Sequence, residues 1–167
     1  MPPGIDRDTV SVYPFRITSE GPEYLALHRS PGLELEGTWQ AVHGKIEPGE
    51  TAVQAAWRET VEETGVRPVE LWMIEYVELF YDERTDQIRM VPCFAAQLDE
   101  QSEVRISGEH DDHRWLPLER ISSTLIWPNQ QAAIEILHRQ LARPLAEGRE
   151  VNPYLKLAPR LYEPSER

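Results

Sequence analysis

The sequence predicts an α/β fold in which helices cover both faces of one mixed β-sheet. Segments with strand and helix patterns follow one another in the order β-β-β-α-β-β-β-α, without an internal repeat or a clear linker. The chain has 167 residues, which is enough to bury a core, and we expect a single domain over residues 1–167. Its 40% hydrophobic and 28% charged residues are typical of soluble globular proteins.

Two alternating segments near the N-terminus predict a β-hairpin. Asp8–Thr18 alternates apolar and polar side chains, and a second such segment, Tyr24–His28, follows the turn at Gly21-Pro22. Pro14 indicates an edge position or a bulge, because proline cannot donate a hydrogen bond to a neighbouring strand. The chain then continues through a loop (30–37) and a short apolar strand (38–43).

Strand patterns return after the central part of the chain. Aromatic and branched residues in Val69–Asp82 predict one long strand or two consecutive strands, and Ile88–Leu98 is the returning strand. Glu109–Leu116 leads into a further short strand. These segments complete the predicted sheet.

The C-terminal part predicts a helix and a tail. Pro117 begins a turn or a short helix, and Pro128 opens an amphipathic helix that extends to about Arg143, since proline is well placed at the first helical position. The remaining residues, 144–167, contain four prolines and no clear periodicity. We expect this tail to wrap the surface or to be partly mobile.

The charge balance limits the classes of partner. A net charge of -12, without a basic stripe, argues against DNA or RNA as the main partner, because duplex binding requires lysine and arginine to displace counterions. A small phosphorylated substrate remains compatible, since bound cations invert the local electrostatics. Whether the chain is a monomer or a dimer stays open.

Cysteine usage and the N-terminus indicate the compartment. The single cysteine, Cys93, excludes an internal disulfide, fits a reducing environment and is expected to be a small buried hydrophobe. The first residues lack the basic and apolar regions of a signal peptide, and no apolar run approaches the roughly 18 residues of a membrane span. We therefore expect a cytoplasmic protein without a membrane partner.

The central residues, 44–66, predict a loop, a short helix and a second loop. Thr51 and Gln54 form a possible capping box at the start of the helix, and Gly65 is placed to end it in the left-handed conformation. Gly44 and Gly49 permit the backbone angles of a tight loop. This segment has well-defined ends.

Three glutamates on this helix suggest a metal site. Glu59, Glu62 and Glu63 stand at i, i+3 and i+4, a spacing at which like charges destabilise a helix unless a cation neutralises them. Carboxylate oxygens suit hard cations such as Mg²⁺ or Mn²⁺. Arg58 is placed to hold Glu50 through a bidentate hydrogen bond. For the glutamates alone, an ordinary solvated helix face is the competing interpretation.

The full pattern is far more specific than the three glutamates. It is G-x5-E-x7-R-E-x2-E-E-x-G, with seven fixed identities, and a chance match is on the order of one in 10^8 per starting point at average residue usage. The segment from Gly44 to Val66 resembles the Nudix box, the signature of hydrolases that act on nucleoside diphosphates linked to another moiety. Thr60 departs from the usual pattern, because the box prefers an aliphatic residue there.

The resemblance implies a Nudix-type α/β/α sandwich and a set of site residues. Glu59, Glu62 and Glu63 would bind the metal, together with the backbone carbonyl of His43, and Glu50 with Arg58 would form a supporting ion pair. The family often adds an acidic residue from outside the box. Glu109 is the candidate here, with Asp111 and Asp112 as rivals and a plain acidic surface loop as the alternative.

The chemistry implied is hydrolysis of a phosphoanhydride bond. Metal ions lower the pKa of a bound water and neutralise phosphate charge, while a carboxylate, Glu59 or Glu109, accepts the proton. Which of the two is the base stays open.

The flanking residues also resemble one subgroup. The box with its preceding W-Q-A-V-H, the later E-H-x3-R-W-L and the W-P-N before the last helix look most like bacterial enzymes cleaving dihydroneopterin triphosphate or dATP to a monophosphate and pyrophosphate. Another Nudix hydrolase, acting on a dinucleoside polyphosphate, a nucleotide sugar or ADP-ribose, is the alternative. A non-catalytic Nudix-like module is disfavoured, because every box carboxylate is present.

Candidate substrate contacts lie outside the box. Trp127 and Asn129 are placed to contact a base, although a tryptophan before a helix more often serves packing. Four arginines are candidate phosphate contacts, each of which is individually more typical of a surface charge: Arg29, Arg84, Arg89 and Arg114.

Overall fold

A computed structural model describes residues 1–163 and contains one mixed sheet between helices. Its strands in the described residues are β1 (Gly4–Asp6), β2 (Thr9–Thr18), β3 (Gly21–Arg29), β4 (Trp39–Gln40), β5 (Val42–Lys45), β6 (Glu70–Asp82), β7 (Gln87–Gln97) and β8 (His110–Leu116). The helices are α1 (Ala52–Thr64), α2 (Leu118–Thr124), α3 (Pro128–Leu137) and α4 (Arg143–Ala146), and the π-helical segment His138–Ala142 joins α3 to α4. The predicted mixed sheet is confirmed.

Strand β2 lies at the centre of the sheet. It pairs parallel to β7 on one side, and on the other it pairs antiparallel first to β5 and then to β3. Strand β6 extends the sheet beyond β7, and β8 extends it beyond β3. The predicted hairpins β2–β3 and β6–β7 are therefore both present.

Each face of the sheet carries its own core. On one face, α1 packs through its small residues Ala55 and Ala56 against apolar side chains of β2 and β7. On the other face, Ala133, Ile134 and Leu137 of α3 pack against Tyr13 and its neighbours. The alanines allow α1 to approach the sheet closely, which brings its glutamates to the end of β5.

The prediction for Pro14 was wrong, because β2 is an interior strand. The β5 pairing ends at Val12 and the β3 pairing begins at Phe15, so Pro14 stands where one neighbour gives way to the next. Opposite that gap it pairs in register with Ala96 of β7. Proline is tolerated there because this stretch has no ladder partner on one side.

Several element bounds differ from the sequence prediction. The short strand at 38–43 is split into β4 and β5, and β1, which pairs parallel to the start of β7, was not predicted. The last helix does not end near Arg143 but continues to Ala146 through the π-helical segment. Cys93 is buried, as expected.

The tail crosses the edge of the sheet. Leu155 is buried in the core on the α3 face, and Tyr162 is buried in the core on the α1 face. Between them, the Leu157 N–H donates to the Leu71 carbonyl of β6 at 3.0 Å. The predicted tail therefore packs along the surface over its described part, whereas residues 164–167 lie outside the described residues. Among the helices described, none has the length and apolarity to cross a membrane.

Candidate active site

Helix α1 is fixed at both ends by the predicted caps. The Thr51 hydroxyl accepts from the Gln54 N–H while the Gln54 side chain accepts from the Thr51 N–H, and Gly65 adopts a φ of 68°. At the other side of the loop, Gly44 of β5 lies against Glu59. A β-carbon on Gly44 would stand 1.9 Å from the Glu59 carboxyl carbon, so only glycine lets this carboxylate reach its place.

Arg58 joins the acidic residues into one network. Its Nε and Nη2 donate to the two oxygens of Glu50, each at 2.9 Å, which is the predicted bidentate pair. Its Nη1 also donates to Glu59 at 2.6 Å and to Glu62 at 3.2 Å, and its Nη2 donates to the Lys45 carbonyl at 2.7 Å. The hydrogen bonds from Arg58 hold the pKa of Glu50 below its usual range.

Glu63 is the most enclosed of the three helix glutamates. Its side chain is 7% exposed, and burial, reinforced by the charges of Glu59 and Glu109, raises its pKa to about 9. Its Oε2 has no hydrogen-bond partner among the described residues and lies 4.0 Å from Nδ1 of the buried His110, which is also without a partner there. Burial likewise raises the pKa of Glu59.

Glu109 lies close to this cluster, whereas its rivals face elsewhere. Arg29 donates to Glu109 at 2.6 Å, and the Glu109 charge acts on the pKa of both Glu59 and Glu63. Asp111 instead contacts the His28 ring at 2.5 Å, and Asp112 lies 3.7 Å from Arg114. Of the three acidic candidates, Glu109 is the one whose charge acts on the helix glutamates.

The backbone of His43 borders the same cluster. It is close enough to act on the pKa of Glu63, for which burial is the larger influence. The His43 ring points to the other side of β5 from Gly44 and contacts the Ser11 hydroxyl at 3.1 Å. The His43 backbone therefore lies beside Glu63, whereas its ring belongs to the opposite face, and the role of its carbonyl as a metal ligand stays a prediction.

The candidate substrate contacts are spread over the α3 face and the sheet edge. The Arg114 guanidinium lies 4.4 Å from the centre of the Trp39 ring. Asn129 accepts from the Tyr76 hydroxyl and donates to the Leu79 carbonyl, while Trp127 is 45% exposed. The remaining two arginines are paired with carboxylates: Arg84 with Glu34 and Asp82, and Arg89 with Asp6 and Asp82.

The sequence did not predict three contacts of the candidate site. The Lys45 carbonyl and the Gly44–Glu59 contact depend on how closely β5 approaches α1, which no local pattern reports. The pairing of Arg29 with Glu109 joins residues 80 positions apart. The glycine of the H-G-K sequence was the available signal for the Lys45 and Gly44 contacts, because a glycine at the end of a strand indicates that another part of the chain approaches the backbone closely.

The carboxylates are held by arginines in this structure. Within residues 1–163, no group of three or more His, Cys, Asp or Glu side chains is arranged to hold a metal ion. Arg58 and Arg29 pair with several of the carboxylates. Nevertheless, the donor set fits a divalent cation. All of its side-chain donors are carboxylate oxygens, and the partnerless Glu63 Oε2 is a buried atom that a cation would satisfy.

Comparison with known proteins decides the family. The sequence profile of the NUDIX domain matches residues 7–140, which is most of the chain and includes every residue of the Arg58 network. The chain belongs to the NUDIX family. It is a Nudix hydrolase, and the resemblance of its central segment to the Nudix box is confirmed.

This Nudix hydrolase has similar relatives of defined activity. It is 33% identical over 121 residues to the mouse bis(5'-nucleosyl)-tetraphosphatase [asymmetrical], an alignment covering 71% of the chain and 80% of the mouse protein. The rat protein of the same name is 31% identical over 121 residues, with the same coverage.

Solved Nudix structures share the fold. The C. elegans Ap4A hydrolase in a binary complex gives a TM-score of 0.71 at 22% identity, covering 83% of this chain and 99% of that one. The E. coli dihydroneopterin triphosphate pyrophosphohydrolase gives 0.67 at 22% identity, covering 86% and 99%. At these identities the likeness establishes the α/β Nudix architecture and not the substrate.

Proposed function

We propose that this Nudix hydrolase cleaves a phosphoanhydride bond of a dinucleoside tetraphosphate in a reaction that depends on Mg²⁺ or Mn²⁺. The observation that carries the proposal is the cluster of Glu59, Glu62 and Glu63, in which the buried Glu63 carboxylate has a raised pKa and an oxygen without a partner among the described residues. Such a group gains most from a neighbouring cation, because the cation offsets both burial and the repulsion of the other glutamates.

The site residues have distinct roles in the proposed reaction. Glu59, Glu62, Glu63 and the His43 carbonyl would hold the cation, and Glu109 would be a further ligand from outside the helix. A bound divalent cation lowers the pKa of water and neutralises phosphate charge. Glu59 would accept the proton of the attacking water, because Arg58 donates to it at 2.6 Å and so fixes its carboxylate within the cluster.

Arg58 and Glu50 support this arrangement without contacting substrate. The bidentate pair fixes Arg58 against the loop, and the same guanidinium orients Glu59. Replacement by lysine would remove this geometry, because an ammonium group cannot make two parallel hydrogen bonds to one carboxylate.

The substrate class is supported by the relatives of about one-third identity, whose names specify bis(5'-nucleosyl)-tetraphosphate and asymmetrical cleavage. Asymmetrical cleavage of a tetraphosphate bridge yields a nucleoside triphosphate and a nucleoside monophosphate. Dihydroneopterin triphosphate or dATP is the second candidate, favoured by the resemblance of the E-H-x3-R-W-L and W-P-N segments to that subgroup.

A substrate panel tests the proposal. Diadenosine tetraphosphate, dATP, dihydroneopterin triphosphate and ADP-ribose are incubated with the protein, with and without Mg²⁺, and products are separated by chromatography. We expect Mg²⁺-dependent formation of ATP and AMP from the tetraphosphate, with kcat/KM at least about tenfold above that for the other compounds. Faster release of pyrophosphate from dATP or dihydroneopterin triphosphate would instead establish the second candidate.

Matched variants test the site separately from the substrate. Glu62→Gln and Glu63→Gln are each expected to lower kcat by about 100-fold or more, because each removes a negative ligand while keeping the shape. Glu103→Gln, at an exposed glutamate outside the site, is the control and should retain wild-type turnover. Near-wild-type turnover in both site variants would contradict the metal assignment.

A further inference from the structure

The hairpin formed by β6 and β7 exposes its apolar side. Residues paired directly across a sheet point to the same face, which places Val77 with Pro92, Leu79 with Met90 and Tyr81 with Ile88. Met73 continues this set on β6, and Ile5 of β1 joins it beside Ile88. We call these eight residues the hairpin face: Ile5, Met73, Val77, Leu79, Tyr81, Ile88, Met90 and Pro92.

The opposite side of the same strands is mostly buried. Ile74, Cys93 and Ala95 belong to the core on the α3 face. This side also encloses two carboxyl groups: Glu78 is 3% exposed and accepts from the Tyr13 hydroxyl at 2.5 Å, and Asp82 is 5% exposed and accepts from Arg89 at 3.0 Å. The hairpin is therefore covered on its α3 side, whereas its other side leaves large apolar side chains uncovered.

The hairpin face is large for a surface that stays in water. Six of its residues are between 39% and 65% exposed, so no described segment of the chain covers them. Together they expose on the order of 600 Å², which is at the upper end of the apolar patches found on monomers. Helix α1 covers the neighbouring Phe94 and Ala96 of β7 but does not extend over this end of the sheet.

We propose that the hairpin face packs against the same face of a second copy of this chain in a two-fold dimer. A two-fold contact requires a self-complementary patch, and an apolar sheet surface meets this need by face-to-face packing. Its exposed area is comparable with the roughly 800 Å² that each partner contributes to an interface of standard size.

Charge supports a second copy as the occupant. Two molecules with a net charge of -12 repel each other, so they associate only through a surface on which no like charges meet. None of the eight residues of the hairpin face is charged. An anionic lipid surface is disfavoured by the same net charge, because the patch has no lysine or arginine to attract it.

Sedimentation velocity tests the dimer with the full-length chain. Over about 5 to 100 µM protein we expect a species of twice the 19.3 kDa chain mass, with a dissociation constant of about 10 µM or lower. Raising NaCl from about 50 to 500 mM should strengthen the dimer, since salt screens the repulsion between the two copies. A monomer throughout both salt conditions would overturn the proposal.

Variants locate the interface. Leu79→Glu combined with Met90→Glu places four carboxylates at the centre of the contact and is expected to raise the dissociation constant at least about tenfold. Tyr154→Glu, at an 87% exposed tyrosine in the tail, is the control and should leave the constant unchanged. Circular dichroism verifies that both variants fold. A dimer that persists in the double variant would overturn the assignment of this face.

Methionine oxidation tests the proposed dimer without a mutation. Met73 and Met90 belong to the hairpin face, whereas Met1 lies outside it and is fully exposed. Peroxide oxidation of Met73 and Met90, followed by peptide mass spectrometry, should slow as protein concentration rises, while Met1 reacts at a constant rate. Equal rates at all concentrations would contradict the dimer.

Discussion

Glu63 is the helix glutamate on which burial and charge act most strongly. In the metal-free protein its pKa is about 9, against 4.5 for an unperturbed glutamate. Between these two values the folded protein keeps a proton that the unfolded chain has lost, so the free energy of unfolding falls as pH rises through this window. The loss is complete above about pH 9 and absent below about pH 4.5.

Glu63→Gln should therefore stabilise the metal-free protein at pH 8. We expect its Tm to exceed that of the wild type by about 3 °C or more at pH 8 and to match it near pH 4.5, because glutamine does not ionise. Excess Mg²⁺ should reverse the order at pH 8, since only the wild type gains a charged ligand. Calorimetry with and without EDTA measures both effects. A lower Tm for the metal-free variant at pH 8 would contradict the raised pKa.

At the residue scale, the sequence predicts which side chains gather at the candidate site better than it predicts their hydrogen-bond partners. The spacing of Glu59, Glu62 and Glu63 places them along one helix, and this is local information. Arg58 donates to Glu59 and Glu62, and Arg29 donates to Glu109. These hydrogen bonds depend on tertiary packing and on the absence of a bound metal. The spacing of residues along the chain reports neither condition, so the sequence alone did not predict these hydrogen bonds.

At the element scale, the approach of β5 to α1 decides where Glu59 lies. The Gly44→Ala variant should displace the Glu59 carboxylate, because the new β-carbon would overlap it, and we expect kcat to fall at least about tenfold. Stability should change by only about 1 kcal/mol, since the obstructing atoms are the end of a side chain that can rotate.

Gly108→Ala is the matched control for Gly44→Ala. A β-carbon at Gly108 would meet no atom within 4 Å, and the residue has no unusual φ. Steady-state kinetics and thermal unfolding of the two variants compare the effects directly. Equal kcat values for both variants would show that the close approach of strand and helix is unimportant for catalysis.

The sequence predicts an element correctly where the residues that determine it are adjacent in the chain. The caps of α1 are set by Thr51, Gln54 and Gly65, all adjacent to the helix, and the sequence predicts them correctly. Strand β1 has only three residues, which are too few to show an alternating pattern, and its partner β7 lies some 80 positions away. No local signal therefore predicts it. The prediction for Pro14 was wrong because β2 has no partner on one side between the end of its β5 pairing and the start of its β3 pairing. A proline in this gap leaves no ladder hydrogen bond unmade. The gap follows from the topology of the sheet, which the local sequence does not contain.

At the scale of the whole molecule, the tail links the two cores. Its Tyr162 ring stacks on Trp57 of α1 with centroids 4.7 Å apart, although residues 141–163 lie beyond the NUDIX match. Tyr162→Ala should lower the free energy of unfolding by about 2–4 kcal/mol, because it removes a buried aromatic ring from the α1 side. Urea unfolding measures the change.

Two further variants define what the tail contributes. Tyr162→Phe keeps the stacked ring and should stay within about 1 kcal/mol of the wild type, whereas Tyr154→Ala removes an exposed ring and should stay within about 0.5 kcal/mol. If Tyr162→Ala proved as stable as Tyr154→Ala, the tail would not support α1. The proposed single domain over residues 1–167 would then end before this segment.

The hydrogen bonds of Arg58 bear on how the protein is made in the cell. One guanidinium holds three glutamates and a backbone carbonyl, so the loop and helix are joined by contacts that involve no metal. Under the proposed function, a cation would therefore be needed for turnover and not for folding, in contrast to small domains that stay unfolded without zinc. Synthesis and metal loading would then be separate events, and a shortage of metal would leave a reserve of folded, inactive enzyme.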